Sequence, residues 1–133
     1  MKLLSFVIDA DWVIDHLNGV TPVTRRLKEL QPRGLGLSVV SAAELWEGAL
    51  FSRDPKRSQE TLETFLSGVD ILGLDEEICK RFGQLRGSMR KLGQTIGDFD
   101  LLIAATALRH GLTLLTNNRK HFEGIAGLKI ESK

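Results

Sequence analysis

Acidic residues lie next to apolar segments at three separate places in the sequence, in a pattern that suits divalent metal ions. Asp9 and Asp11 follow the apolar segment LLSFVI, Glu44 follows LGLSVV, and Asp98 and Asp100 precede LLIAATAL. Clustered carboxylates repel one another, and a divalent cation such as Mg²⁺ relieves that repulsion because it prefers oxygen ligands. The spacing therefore favours metal-dependent phosphoryl-transfer chemistry.

Three of these acids also have a structural interpretation as helix caps. Asp9 ends an apolar segment, where a buried unpaired carboxylate is costly, so a metal ligand is favoured over a cap. Asp11 fits a ligand and a cap equally well. Ser41 and Glu44 match the S-x-x-E capping box. The position of Glu44 after a predicted strand, on the same sheet edge as Asp9, favours a metal ligand instead.

Asp98 and Asp100 are two residues apart, so on one regular helix their side chains would point about 200° apart. Both can face one metal ion only if Asp98 precedes the helix. We therefore expect Asp100 to be the firmer ligand and Asp98 to be a cap or a supporting acid. The alternative is that both acids only stabilise the positive end of the helix dipole.

Thr116, Asn117 and Asn118 follow another apolar segment, LTLL. An asparagine there can orient a water or a phosphate, or can hold a turn with positive φ. His110 and His121 are isolated in the sequence, and a surface or capping role is favoured over general-base catalysis for each of them.

Alternating strands and helices would position these residues. Predicted strands cover 3–8, 35–40, 69–72, 113–116 and the region near 129. Predicted helices cover 11–17, 21–32, 41–51, 62–66, a long segment that follows Asp75 and includes 78–89, and 101–110, with one further helical turn before the last strand. We expect Thr21 and Asp75 to cap helices, Gly111 to close one, and residues 53–57 to form an exposed turn. The alternation predicts an α/β fold with a mostly parallel central sheet sandwiched by helices, with its site outside the carboxyl ends of the strands.

Length and composition predict a single domain, residues 1–133, with a sizeable core. Of the 133 residues, 42% are hydrophobic and 26% are charged, and the net charge is +1. The one cysteine, Cys79, has no partner for an internal disulfide, which favours a reducing cytoplasm. The first apolar segment is too short for a signal peptide or a membrane span, so no membrane association is expected.

Taken together, the segments VIDADWVIDHL, SVVSAAELWEG and IGDFDLLIAATALRHGLTLLTNNRKHFEGIAGL resemble the PIN-domain ribonucleases, in particular the VapC-type toxins of prokaryotic toxin–antitoxin pairs. The resemblance implies a PIN-like α/β/α fold and a Mg²⁺- or Mn²⁺-dependent endoribonuclease that hydrolyses RNA by metal-activated water. Transfer RNA is the substrate implied at the family level. The resemblance also implies a homodimer, and a VapB-type antitoxin whose C-terminal segment fills the active-site groove.

Matched residue by residue, Asp9, Glu44 and Asp100 correspond to the three main acids of the family, and Asp98 corresponds to an additional acid of some members. The fourth acidic position falls on the asparagine pair, and best on Asn118. This departure removes a negative charge and puts a second metal ion in doubt.

Position 10, where the family often has a hydroxyl residue, is Ala10. The resemblance therefore implies that Thr116 or an ordered water supplies the hydroxyl beside Asp9. Trp46, Leu50 and Phe51 are the candidate subunit-contact residues.

Two other function classes were weighed. The D-x-D-x-V pattern of residues 9–13 also resembles haloacid dehalogenase-like phosphatases, in which Asp9 would be the phosphorylated nucleophile. The polar residues before Ile96 and the short chain speak against it. The missing fourth acid instead supports a catalytically weak PIN-like module that only binds RNA or protein, although the three retained acids oppose that hypothesis.

Overall fold

The side chains of the central strand alternate between two cores. The computed structural model describes residues 3–133, and in it Phe6 and Ile8 pack into one buried cluster while Val7 packs into a second. Such alternation places a core on each face of the sheet. Both faces must therefore be covered by helices.

The elements follow one another as the sequence predicts, including the single helical turn before the last strand. In chain order they are β1 (Phe6–Ile8), α1 (Ala10–Leu17), α2 (Thr21–Leu30), a 3-10 turn (Gln31–Arg33), β2 (Leu35–Ser38), α3 (Val39–Leu50), α4 (Pro55–Leu66), β3 (Asp70–Leu72), α5 (Glu76–Lys91), α6 (Asp98–His110), β4 (Thr113–Leu115), α7 (Arg119–Phe122) and β5 (Ile130–Glu131).

The five strands form one sheet in the order β3-β2-β1-β4-β5, and every pairing is parallel. Helices α1 to α4 contribute to the core that contains Phe6, and α5 to α7 contribute to the core that contains Val7. Ile8 lies opposite Leu37 and Leu115, so three strands end at the same edge of the sheet. The predicted α/β/α architecture is confirmed. None of the helices in residues 3–133 is long and apolar enough to cross a membrane.

The boundary between β2 and α3 differs from the prediction. The strand ends at Ser38, whose Oγ accepts a hydrogen bond of 3.1 Å from the N–H of Val40, so the helix begins at Val39. The predicted capping box of Ser41 and Glu44 is therefore wrong. Ser41 lies inside the helix, and its buried Oγ has no hydrogen-bond partner among the residues described.

Other helix ends also differ in detail. Val20, not Thr21, is the N-cap of α2, and α4 begins at Pro55, inside the predicted turn. The predictions for Asp75 and Gly111 are confirmed: Oδ1 of Asp75 accepts from the N–H of Ile78 at 2.8 Å, and Gly111 ends α6 with φ 65°.

A salt bridge joins α2 to the edge strand β5. Nε and Nη2 of Arg26 donate to the two carboxylate oxygens of Glu131 at 2.7 and 3.0 Å. The guanidinium lowers the pKa of Glu131 below its ordinary value. This bidentate contact holds β5 against α2.

Gly34 should tolerate no side chain. Its φ is 90°, and a Cβ added there would lie 2.2 Å from the carbonyl oxygen of Leu3. Gly34→Ala is expected to lower the free energy of unfolding by about 3 kcal/mol or more, because it combines a backbone clash with a strained φ.

Gly93→Ala is the matched control, since Gly93 also has a positive φ, of 68°, but a Cβ there meets nothing within 4 Å. It should cost about 1 kcal/mol, the contribution of φ alone. Urea unfolding of both variants measures the difference, and equal losses would contradict the proposed clash.

Candidate functional site

Asp9 lies at the end of the central strand and is 5% exposed. Its N–H donates to the carbonyl oxygen of Leu115 at 2.9 Å, which extends the pairing of β1 with β4. Its Oδ1 accepts from the N–H of Ala10 at 2.8 Å, so Asp9 is also the N-cap residue of α1. Burial raises the pKa of Asp9 to about 6, although its hydrogen bonds oppose the shift.

Thr116 supplies the hydroxyl beside Asp9, as expected. Its Oγ1 donates to Oδ2 of Asp9 at 2.7 Å, and both residues are buried. The same Oγ1 accepts from the N–H of Asn118 at 3.0 Å. Thr116 therefore connects the backbone at the start of α7 to the Asp9 carboxylate.

A hydrogen bond joins Asp11 and Asn117 at the same edge of the sheet. Oδ2 of Asp11 accepts from the N–H of Asn117 at 2.8 Å, and burial raises the pKa of Asp11. Oδ1 of Asn117 accepts from Nε1 of the buried Trp12 at 3.0 Å. Both asparagines are exposed, but Asn117 is held by side-chain contacts, whereas Asn118, the predicted fourth-position residue, makes its contact with Thr116 through its N–H.

The hypothesis of an asparagine with positive φ is wrong, because within residues 3–133 only glycines have positive φ. Asn118 has φ −89° and is the N-cap residue of α7 without a side-chain capping bond.

Asp100 links the acids of the three segments electrostatically. Burial is the main reason that the pKa values of Asp9 and Glu44 are raised, and the negative charge of Asp100 adds to both shifts. Asp100 comes from the first turn of α6, Glu44 from α3, and Asp9 from the end of β1. The three acids therefore face a common region at one edge of the sheet.

His121 reaches this region from α7. Its Nδ1 lies 2.8 Å from Oδ2 of Asp100. The sequence favoured a surface or capping role for this histidine, and no spacing signal connects two residues that are 21 positions apart. The contact arises because the end of β4 and the start of α6 lie together in the fold.

Asp98 points elsewhere. Its side chain is 78% exposed and pairs with Arg86, which also donates to the carbonyl oxygen of Ile96 at 2.9 Å. Asp98 is the first residue of α6, and Gly97 is the N-cap residue of that helix. The predicted capping role of Asp98 is therefore wrong. Because Asp98 and Asp100 share one helix, the condition for both to face one metal ion is not met.

The carboxylate oxygens of the acidic side chains suit a divalent cation, whereas the distances between these side chains suit it less well. Asp9, Glu44 and Asp100 offer carboxylate oxygens, and burial, followed by neighbouring negative charge, raises the pKa values of Asp9 and Glu44. Within residues 3–133, no three His, Cys, Asp or Glu side chains are close enough to hold a metal ion without rearrangement. Binding would therefore draw the acids together.

Comparisons with known proteins identify the family of the chain. The family model described as the PIN domain matches residues 6–128. A tRNA(fMet)-specific endonuclease VapC of Shigella flexneri is 32% identical over 129 residues, which cover 97% of this chain and 98% of the relative. Ribonuclease VapC1 of Haemophilus influenzae strain R2866 is 33% identical, over 95% of this chain and 96% of the relative.

Solved structures give the same result. The DNA-bound VapBC complex from Salmonella typhimurium contains a chain that matches with a TM-score of 0.91 and 30% identity, over 98% of both chains. The VapBC2 complex from Rickettsia felis, bound to a promoter DNA fragment, matches with a TM-score of 0.91 and 28% identity, over 98% of this chain and 99% of the other. The chain belongs to the PIN-domain family and, within it, to the VapC-type ribonucleases of toxin–antitoxin systems.

Proposed function

We propose that the chain is a Mg²⁺- or Mn²⁺-dependent endoribonuclease whose metal ligands are Asp9, Glu44 and Asp100. One observation carries the proposal: the three acids come from different elements, yet burial raises the pKa values of Asp9 and Glu44 and the nearby charge of Asp100 adds to both shifts. Acids that oppose one another's ionisation in this way form a suitable binding site for a cation.

The protein side chains would bind and orient, while the cation supplies the Lewis acidity. A divalent cation held by Asp9, Glu44 and Asp100 would supply the charge that lowers the pKa of water and stabilises a scissile phosphate. Thr116 fixes Oδ2 of Asp9, and the N–H of Ala10 fixes Oδ1, so the buried carboxylate has one defined orientation. Attack by water, without the ribose 2′-hydroxyl, leaves 5′-phosphate and 3′-hydroxyl ends.

Asp98 and Asn118 take supporting roles in this proposal. Asp98 holds Arg86 at the start of α6 instead of binding the cation. Asn118 occupies the fourth acidic position without a charge, and its N–H contacts the Thr116 hydroxyl. With one carboxylate fewer, the site is proposed to hold a single ion.

RNA is the proposed substrate class, and the relatives named tRNA(fMet)-specific endonucleases make transfer RNA the first RNA to test. A VapB-type antitoxin is the proposed inhibitor, since neighbouring structures are VapBC complexes. A groove between α1, α3 and α4 is the proposed site for its C-terminal segment, because it joins Glu44 to the apolar lining residues Ile14, Leu17, Leu45, Ala49 and Leu62.

A homodimer is proposed on the exposed apolar end of α3. Phe51 is 86% exposed and Leu50 is 48% exposed, which is unusual for side chains of this size. RNA hydrolysis would take place in the cytoplasm, in keeping with the single free cysteine, Cys79.

The proposed function is tested by incubating purified, antitoxin-free protein with a small-RNA pool in Mg²⁺, Mn²⁺ or EDTA. Discrete cuts that need a cation and carry 5′-phosphate ends support the proposal. Products with 2′,3′-cyclic phosphates would contradict water as the nucleophile. Absence of cleavage of any RNA by folded, cation-binding protein would favour the RNA- or protein-binding module. The family assignment leaves no support for the haloacid dehalogenase alternative.

Thr116→Val should lower the cleavage rate by about tenfold, because it preserves the shape of the side chain and removes the donor to Asp9. Thr116→Ser is the matched variant, since it retains the hydroxyl and should recover most of the rate. Single-turnover cleavage at saturating Mn²⁺ measures both. Equal rates for valine and serine would show that the hydroxyl has no role in orienting Asp9.

A further inference from the structure

Phe99 is an exposed aromatic residue in the first turn of α6. It is 54% exposed, and it lies between Asp98 and Asp100 in the sequence. Two residues later, Leu101 is completely buried in the core. The turn is therefore packed against the core while much of the Phe99 ring stays in solvent, directly beside an acid of the candidate site.

Contacts from α5 hold this turn in place. Nη1 of Arg86 donates to the carbonyl oxygen of Ile96 at 2.9 Å, Nη2 pairs with Asp98, and the guanidinium lies 5.4 Å from the centre of the Phe82 ring. Phe99 is thus carried on an anchored element, which suits a binding contact. The same guanidinium compensates the charge of Asp98, so an approaching phosphate would meet less repulsion there.

A cation lies close to Asp100 on a second element. Lys120 is exposed in α7 and directly precedes His121, whose Nδ1 lies 2.8 Å from Oδ2 of Asp100. The surroundings of Asp100 therefore offer an aromatic ring from α6 and an ammonium group from α7. Surfaces that bind single-stranded RNA combine these two features, because bases stack on aromatic rings and phosphates attract cations.

We propose that Phe99 stacks on an unpaired base of the RNA substrate while Lys120 contacts a phosphate of the same strand. The inference rests on the proposed function, because it assigns substrate contacts beside the same acids, but it requires no particular arrangement of metal ligands. The groove proposed for the antitoxin lies between α1, α3 and α4, so α6 and α7 remain available to RNA. Stacking tolerates any base, so Phe99 should select unpaired RNA over paired RNA.

The first test measures binding of a short single-stranded RNA to the full chain in EDTA. The RNA carries the fluorescent base 2-aminopurine, whose emission falls when it stacks on an aromatic ring. Phe99→Leu should weaken binding by about tenfold and remove the quenching caused by the protein. Phe99→Trp is the matched variant, since it retains an aromatic surface and should retain both effects. Thermal unfolding confirms that each variant is folded.

The second test measures how salt weakens RNA binding. Lys120→Gln should make the slope of log affinity against log salt shallower by about 0.7, the contribution of one phosphate contact in single-stranded RNA. Lys28→Gln is the control, because it removes an exposed lysine from α2, beside the cavity that includes Leu35 at the start of β2. Equal changes in slope for both variants would show general attraction and overturn the role of Lys120.

Wild-type affinity and quenching in Phe99→Leu would overturn the stacking contact. Unchanged RNA affinity in Phe99→Leu, together with weaker binding of a VapB-type antitoxin, would also overturn it, because the ring would then be an inhibitor contact. A loss of thermal stability with unchanged RNA affinity would assign the ring to the fold alone, with the same consequence.

Cleavage in Mn²⁺ separates this inference from the proposed function. If the wild-type protein cleaves RNA and Phe99→Leu binds RNA normally, the proposed function stands and the stacking contact is wrong. If RNA binding in EDTA depends on Phe99 but no cation supports cleavage, the stacking contact stands and the proposed function is wrong.

Discussion

Asp100→Asn should lower the rate of RNA cleavage by about 10³-fold. Asp100 is the acid whose charge acts on both Asp9 and Glu44, so an amide there weakens the whole proposed ligand set. The substitution is nearly isosteric, and it removes a repulsive charge. The metal-free variant should therefore unfold at the same temperature as the wild-type protein or at a higher one.

The measurement is single-turnover cleavage of a labelled RNA over a range of Mn²⁺ concentrations, combined with thermal unfolding with and without Mn²⁺. Glu60→Gln is the control, because it removes an exposed acid from α4, away from the site. The rise in unfolding temperature caused by Mn²⁺ should vanish in Asp100→Asn and persist in Glu60→Gln. Cleavage by Asp100→Asn within about tenfold of wild type would show that Asp100 is not an essential ligand.

Asp9→Asn should abolish cleavage and stabilise the metal-free protein by about 2 kcal/mol at pH 7. Burial raises the pKa of Asp9 to about 6 from its ordinary value of 3.8, so ionised Asp9 is a cost to the fold. The asparagine oxygen can accept from the N–H of Ala10 and its NH2 group can donate to Oγ1 of Thr116, so asparagine keeps both contacts and avoids that cost. The variant would therefore be inactive but more stable than the wild-type protein.

The stability of the metal-free protein should fall as the pH rises from about 4 to 6. Between about pH 4 and 6 folded Asp9 retains a proton that the unfolded chain has released, so the stability contributed by protonation is lost as pH rises through this window. Urea unfolding in EDTA at pH 5 and pH 7 should therefore show a larger difference in unfolding free energy for wild type than for Asp9→Asn. A metal-free variant that is less stable than wild type at pH 7 would contradict this account.

The strand ends were the most predictable part of the site. Asp9 and Thr116 each follow an apolar strand, and parallel pairing of β1 with β4 brings those ends together. The sequence predicted that both residues follow strands, and the family resemblance pointed to Thr116 or an ordered water beside Asp9. The hydroxyl beside Asp9 was expected because Ala10 lacks one.

Residues that depend on the exact start of a helix were less predictable. Both Ser38 and Ser41 can cap a helix, and the choice of Ser38 depends on where β2 stops pairing with β1 and β3. The contact between His121 and Asp100 depends on the packing of α7 against α6, which no local pattern encodes. Local propensity thus located the elements, while tertiary packing decided which polar side chains meet.

The short strands at the two margins of the sheet limit how copies of the chain can associate. β3 has three residues, and β5 has two, with Glu131 of β5 already engaged by Arg26. Such margins offer few free backbone groups on which another chain could continue the sheet. Association would then use side chains on helix surfaces. Subunits and inhibitors could therefore exchange without breaking backbone hydrogen bonds between strands.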